Sequence, residues 1–123
     1  MSDLFLILPT AGEYRVVEAV VQRRRFPVEL RMCGIGPRRS AALCAEFERG
    51  ARPRGLALLG WAGGLRDDLA VGDIVIAERA LSAGRSDVDC LAPALPGLAR
   101  VHRGPVLTAG HVVAAPAAKR AAA

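Results

Sequence analysis

Leu4-Phe-Leu-Ile-Leu8 is a continuous apolar run that lies between Asp3 and Pro9. A run of this kind, short and without alternation, is typical of a strand that is buried on both faces, as strands of a parallel sheet are. Residues 13–25 then carry valines at helical spacing with charged residues between them, which predicts an amphipathic helix. The first part of the chain therefore predicts an α/β fold built on parallel strands.

The rest of the chain continues the same alternation. Residues 28–33 alternate as a strand, Gly34-Ile-Gly36 predicts a tight turn, and Pro37 suits the first position of a helix. Further predicted elements are strands at 55–59, 73–77 and 106–108, an irregular stretch at 82–104, and the opening of a helix within 114–123. This order predicts a three-layer α/β/α architecture with a mixed, mostly parallel central sheet.

The size and composition of the chain predict one folded domain over residues 1–123. Of its 123 residues, 52% are hydrophobic and 24% charged, which gives enough apolar surface for a core. The longest apolar run is far shorter than the roughly 20 residues that cross a bilayer, and the N-terminus lacks the basic region of a secretory signal. We therefore expect no membrane span and a cytoplasmic location.

The charge and the cysteines exclude some classes of partner. The net charge is +5, but sixteen of the seventeen basic residues are arginines in a chain rich in alanine and glycine, which indicates a compositional bias. Only five residues are aromatic, so the stacking platform of single-strand binders is missing. We expect no nucleic acid as partner and keep a basic RNA-binding domain as a weaker alternative. The three cysteines have no disulfide or zinc spacing, so we predict no metal.

Ligands of an open α/β sheet bind beyond the carboxyl ends of its strands, and three segments directly follow predicted strands: Pro9–Glu13, Gly34–Ser40 and Gly60–Gly64. In Gly34-Ile-Gly-Pro-Arg-Arg-Ser40, free backbone N–H groups and Arg38 would suit an anion or a sugar hydroxyl, although a plain strand-to-helix turn explains it equally well. Gly60-Trp-Ala-Gly-Gly64 either lets a ligand approach the backbone beside an indole wall or forms only a glycine-rich corner. Glu13 is favoured at its helix start by the helix dipole, whether or not it does chemistry.

These segments, taken in order, resemble the purine and uridine phosphorylase superfamily, which includes the nucleosidases acting on methylthioadenosine and adenosylhomocysteine. The resemblance rests mainly on two features. One is Gly34-Ile-Gly36 before a helix, and the other is Gly60-Trp-Ala-Gly-Gly-Leu65 followed shortly by Val71-Gly-Asp-Ile-Val75. Thr10-Ala-Gly-Glu13 and Thr108-Ala-Gly-His-Val-Val113 are most similar to the hopanoid-associated phosphorylase branch. The resemblance implies a nucleoside phosphorylase-like fold that is C-terminally incomplete, because the family's Met-Glu motif and its later aspartate are not reached.

The resemblance also implies roles for individual residues. Glu13 corresponds to the acidic residue with which nucleosidases orient the attacking water, and is the predicted catalytic residue. Trp61 stands where the family commonly has a serine or threonine. The residues implied to bind nucleoside or phosphate are Gly34, Ile35, Gly36, Arg38, Trp61, Ala62, Gly63, Val112 and Val113.

The implied function is cleavage of the N-glycosidic bond of a purine nucleoside or an adenosyl-bearing intermediate, by phosphate in a phosphorylase or by water in a nucleosidase. The chain would then be an enzyme of the pentosyltransferase type, with inorganic phosphate as co-substrate and no cofactor. Its expected partners are these small molecules and further copies of itself, because an unfinished sheet edge favours homo-oligomers. The alternative is a non-catalytic nucleoside- or nucleotide-binding module, which the tryptophan and the missing motifs favour.

Overall fold

The computed structural model describes residues 3–50, 52–109 and 116–122. The elements are, in chain order, β1 (Leu4–Leu8), α1 (Ala11–Arg24), β2 (Val28–Met32), α2 (Pro37–Arg49), β3 (Gly55–Leu58), β4 (Ile74–Ser82), β5 (Val88–Asp89), β6 (Val101–Thr108) and α3 (Pro116–Ala122). They divide into two compact units, Met1–Ala62 and Gly63–Ala123, and each is described by itself. Within these residues the helices are too short or too polar to span a bilayer.

The first unit is a parallel three-stranded sheet in the order β2-β1-β3, with a helix in each crossover. The apolar run of β1 occupies the central position, where Phe5, Ile7 and Leu8 are buried. The Phe5 ring packs on Phe47 of α2, at 5.5 Å between ring centroids. Leu8 and Val17 of α1 line the same cleft. Because side chains of a strand alternate between its two faces, α1 and α2 cover opposite faces of this sheet.

Capping residues mark both ends of α1 and the start of α2. Thr10 caps α1 with its side chain, and Arg25 ends it in the left-handed conformation, at φ 54° and ψ 42°. The backbone N–H of Arg25 donates to Gln22 and Val21 carbonyls at that end. Gly36, at φ 98°, precedes α2, and Pro37 takes its first turn, where the missing N–H of proline costs nothing. The sheet edge beyond β1 is thereby lined by helix starts.

The second unit contains a mixed three-stranded sheet in the order β5-β4-β6. Strands β4 and β6 run parallel, and β5 pairs antiparallel with β4. The register shifts between Ala77 and Arg79, so that Pro105 of β6 lies opposite the bulge. A bulge suits this position because proline has no N–H to donate to the ladder.

The α/β class with mostly parallel strands is confirmed, and the strands form two three-stranded sheets in the described residues. The predicted helix opening at Pro116 is also confirmed. The stretch 82–104 is more regular than predicted, because it contains β5 and the start of β6. The prediction that residues 1–123 form one domain stays a prediction.

Candidate functional site

The three sequence-predicted segments of the first unit meet at one edge of the parallel sheet. Leu8 is in register with Met32, and Ile7 with Leu58, so the carboxyl ends of the three strands are level. The pairing continues just beyond them: the N–H of Cys33 donates to the Leu8 carbonyl at 3.1 Å, and that of Leu59 to the Ile7 carbonyl at 3.0 Å. Glu13, the Gly34–Gly36 turn and Trp61 therefore extend from the same sheet edge.

The Glu13 carboxylate is buried, with 6% of the residue exposed. It completes a capping box at the start of α1, in which the Thr10 N–H and hydroxyl donate to Glu13 Oε2 at 2.9 and 2.7 Å. The other oxygen, Oε1, accepts the backbone N–H of Trp61 at 2.7 Å. One carboxylate thus joins the β1–α1 loop to the loop after β3.

The hydrogen bonds to Glu13 decide its charge. Burial, the largest single influence, raises the pKa of its carboxyl, but the Thr10 hydroxyl, the Trp61 N–H and the Thr10 N–H together lower the pKa below its ordinary value of 4.5. Glu13 is therefore an anion at neutral pH. In the described ranges it has no ion-pair partner among the basic side chains, so backbone dipoles at the helix start balance its charge.

The loop after β3, residues 59–62, is called the Trp61 loop. Gly60 and Gly12 show how closely this loop approaches the Glu13 carboxylate and the start of α1. A Cβ built on Gly60 would lie 2.8 Å from Glu13 Oε1, so only glycine fits there without a shift. A Cβ built on Gly12 would lie 3.5 Å from the Trp61 ring, which is ordinary contact. The indole thus rests against the first turn of α1.

An apolar cleft of about 240 Å³ opens between α1 and the loop after β3. Its lining residues are Leu8, Glu13, Val16, Val17, Leu59, Gly60 and Trp61. Trp61 is 73% exposed, which leaves most of its indole available to a ligand. The cleft combines an aromatic wall, an aliphatic floor and one carboxylate, a set that can hold a flat apolar group and accept a hydrogen bond from it.

A second, larger cleft of about 500 Å³ is lined by Cys33 and Arg39, which flank the Gly34–Gly36 turn, and by none of the three turn residues themselves. Both glycines have positive φ, 77° and 98°, so the turn needs them for its backbone geometry. Arg39 lies across Gly34 and lines this cleft together with Tyr14 and Cys33, whereas Arg38 lines neither cleft. The binding roles of Gly34, Ile35, Gly36 and Arg38 stay predictions, with Arg39 as the basic side chain nearest the turn.

Of the four remaining predicted positions, only Ala62 belongs to the first unit. Gly63 is the first residue of the second unit, where a Cβ would meet nothing within 4 Å. Val112 and Val113 lie outside the described residues. Ala62 follows Trp61 directly and is exposed. The binding roles of these four residues stay predictions.

The second unit contains a polar network that sequence analysis did not predict. Asp73 of the Val71-Gly-Asp-Ile-Val75 motif has a side chain only 2% exposed. It accepts hydrogen bonds from the Arg100 guanidinium and, at 3.0 Å, from the Ala70 N–H, and its Oδ2 lies 2.9 Å from His102 Nε2. The Arg100 guanidinium, then the Ala70 N–H, hold the pKa of Asp73 well below its ordinary range. The network ties the start of β4 to β6, and the motif itself was its only sequence signal.

The comparison with protein families agrees with this geometry. The Phosphorylase superfamily profile matches residues 11–96, which include Glu13, the Gly34–Gly36 turn, the Trp61 loop and the Asp73 motif. The chain therefore belongs to the phosphorylase superfamily, that of the purine and uridine phosphorylases. No curated protein matches the chain. The family resemblance of the sequence is confirmed, and the hopanoid-associated branch stays a prediction.

Proposed function

We propose that the cleft beside Glu13 and Trp61 binds a purine nucleoside, or an adenosyl group of a larger intermediate, and that the chain cleaves its N-glycosidic bond. The observation that carries the proposal is the meeting of the three loop segments at one sheet edge in a chain of the phosphorylase superfamily. Nucleoside cleavage at this level is what the family implies. We propose adenosine or an adenosyl group as the substrate and phosphate or water as the nucleophile.

In the proposed reaction, the bond between the anomeric carbon and the base nitrogen breaks and a bond from that carbon to oxygen forms. Water as nucleophile gives the free sugar, whereas phosphate gives the sugar 1-phosphate, and the base leaves with a proton in both cases. The transition state resembles an oxocarbenium ion, so a nearby anion stabilises it. We propose that the ionised Glu13 carboxylate supplies that negative charge.

The proposed role of Glu13 uses the one hydrogen-bond acceptor position of its carboxylate that the fold does not occupy. A carboxylate has about four acceptor positions, and three are taken by the Thr10 N–H, the Thr10 hydroxyl and the Trp61 N–H. The fourth, on Oε1, supports acceptance of a hydrogen bond from the attacking water or a sugar hydroxyl. Because its pKa is lowered, the Glu13 carboxylate is a weak base. It is therefore better suited to accept a hydrogen bond from the nucleophile than to remove a proton from it.

For phosphate, the proposed donors are the backbone N–H groups of Gly34, Ile35 and Gly36 at the start of α2, with Arg38 as the basic side chain. A helix start with free N–H groups attracts anions. Inorganic phosphate is then the co-substrate and no cofactor is needed. We further propose that the chain acts in the cytoplasm as a homo-oligomer, and that it belongs to the hopanoid-associated branch of the superfamily.

A non-catalytic nucleoside-binding module is the second candidate, favoured by one observation. Trp61 offers an exposed indole where the family commonly has a hydroxyl, so the cleft gains a stacking surface and loses a polar contact. The two candidates agree on the ligand and differ on the fate of the glycosidic bond.

The test is incubation with adenosine, in phosphate-free buffer and with added phosphate, followed by chromatography for free adenine. Adenine release only with phosphate supports phosphorolysis, and release without phosphate supports hydrolysis. Saturable binding of adenosine with no adenine release under either condition would overturn the enzyme proposal in favour of the binding module. The absence of both binding and release would overturn both candidates.

A further inference from the structure

The Trp61 loop is held at the sheet edge by one side chain. The Trp61 N–H donates to Glu13 Oε1 at 2.7 Å across 48 residues of sequence. The next residue back, Gly60, lies so close to the same oxygen that a Cβ would come within 2.8 Å of it. Backbone and carboxylate are therefore fitted to each other, and the height of the loop above α1 depends on the length of the Glu13 side chain.

The carboxylate is itself fixed from the opposite side. Two donors of Thr10 bind Oε2, and both belong to the cap of α1, which packs beside β1 and β2. A buried side chain with both oxygens bonded has little freedom to change rotamer. Glu13 thus transmits the position of the helix start to the Trp61 backbone.

The Trp61 backbone that this contact holds carries an exposed indole. It is 73% exposed, one edge rests against Gly12, and the remainder borders the apolar cleft with Val16, Val17 and Leu59. An exposed aromatic ring beside an aliphatic floor suits a flat heteroaromatic group, which gains stacking on one face and apolar contact on the other.

We propose that Glu13 is the positioning residue of this cleft, and that through the Trp61 N–H it holds the indole as the wall on which a purine base stacks. The inference rests on the proposed function only in its choice of a purine as the ligand. It adds a second role to Glu13 that is independent of bond cleavage. It also makes Trp61 the residue that determines binding of the base.

The test separates the position of the carboxylate from its charge. Glu13→Asp keeps the negative charge but draws it back by one methylene, away from the Trp61 N–H. Glu13→Gln keeps the length and one oxygen that can accept the Trp61 N–H, but it removes the charge and turns an NH2 group toward Thr10. Glu18→Asp, on the same helix and outside both clefts, is the matched control. The probe is free adenine, which has no glycosidic bond.

Trp61 is the only tryptophan of the chain, so its fluorescence reports on this loop alone. We expect Glu13→Asp to weaken the change in Trp61 emission that adenine causes and to raise the adenine Kd about tenfold, as loss of one stacked base does. Glu13→Gln is expected to keep the adenine Kd within about threefold of the original chain, the cost of a weakened hydrogen bond. Glu18→Asp is expected to change neither quantity.

Three results would overturn the inference. The first is an original chain whose Trp61 emission does not respond to adenine. The second is equal adenine affinity in Glu13→Asp and the original chain, and the third is a larger loss in Glu13→Gln than in Glu13→Asp, which would assign the effect to charge. If a Glu13 variant fails to fold, calorimetry on Trp61→Phe and Trp61→Ala replaces it: retained binding only in the phenylalanine variant supports the aromatic wall, and equal binding in both refutes it.

The same data distinguish this inference from the proposed function. Adenosine left uncleaved, together with the expected order of adenine affinities, removes the enzyme proposal and leaves the positioning role of Glu13. Adenosine cleavage together with identical adenine affinities in all Glu13 variants does the reverse.

Discussion

Replacing Gly60 by alanine tests the contact between the Trp61 loop and Glu13 with the smallest possible change. The added Cβ would lie 2.8 Å from Glu13 Oε1 and 3.4 Å from Pro9 Cδ. The φ of Gly60 is outside the left-handed region, so the effect is steric and not conformational. Because the carboxylate is held by three hydrogen bonds, the loop has to move, and the Trp61 N–H is the bond that lengthens.

The expected loss follows from two opposing contributions. A hydrogen bond to a charged acceptor contributes about 1.5–3 kcal/mol. Alanine in place of glycine restricts the unfolded chain and returns about 0.4–1 kcal/mol. We therefore expect Gly60→Ala to lower the free energy of unfolding by about 1–2 kcal/mol.

Urea unfolding followed by Trp61 emission measures this directly, because Trp61 lies in the first unit. Gly12→Ala is the matched control: its Cβ makes only an ordinary contact at 3.5 Å with the same indole, and alanine is the better helix former, so stability should rise by about 0.5 kcal/mol. In a Glu13→Ala background the collision is gone, and Gly60→Ala should cost nothing. An equal cost of Gly60→Ala in both backgrounds would refute the contact.

The remaining predictions concern the end of α1 and the Asp73 network. Arg25→Gly should raise the free energy of unfolding by about 1 kcal/mol, because glycine removes the cost of the left-handed φ of 54°. Arg24→Gly, inside the helix, should lower the free energy of unfolding. Urea unfolding that gives both changes the same sign would contradict this reasoning. The pKa of Asp73 is lowered by folding, so the unfolded chain binds its proton more tightly and stability rises with pH; this stabilisation is complete above the ordinary value of 3.8 and is lost as pH falls toward the folded pKa. Asp73→Asn should therefore lower the melting temperature at neutral pH and flatten its acid dependence, with Asp67→Asn as the control, and an unchanged pH profile would count against the network.

The parallel half of the fold is predictable because its signals are local. The apolar run of residues 4–8 is β1 without a shift of boundary, and Pro37 begins α2 as proline at a first turn should. The second unit is harder to predict, because Gly104 and Pro105 interrupt the pattern of β6 and argue against a strand. A bulge in β4, which no local signal announces, accommodates them.

The site divides in the same way between local and distant causes. Thr10-Ala-Gly-Glu13 has the spacing of a capping box, so two of the three hydrogen bonds to the Glu13 carboxylate follow from four consecutive residues. The third joins residues 13 and 61, which come together only after two crossovers have set the strand order β2-β1-β3. The Asp73 network likewise depends on the pairing of β4 with β6. Residue types alone do not specify such contacts.

The double use of Glu13 changes how its variants have to be interpreted. Its charge is stabilised by the helix start and by three hydrogen bonds, and the same bonds fix the loop that carries the indole. A substitution that removes the carboxylate therefore alters the shape of the cleft and the negative charge within it at the same time. A fall in cleavage rate identifies a catalytic carboxylate only in a variant whose Trp61 emission and adenine affinity are unchanged. Glu13→Gln, which keeps the length and loses the charge, is the variant expected to come nearest to this condition.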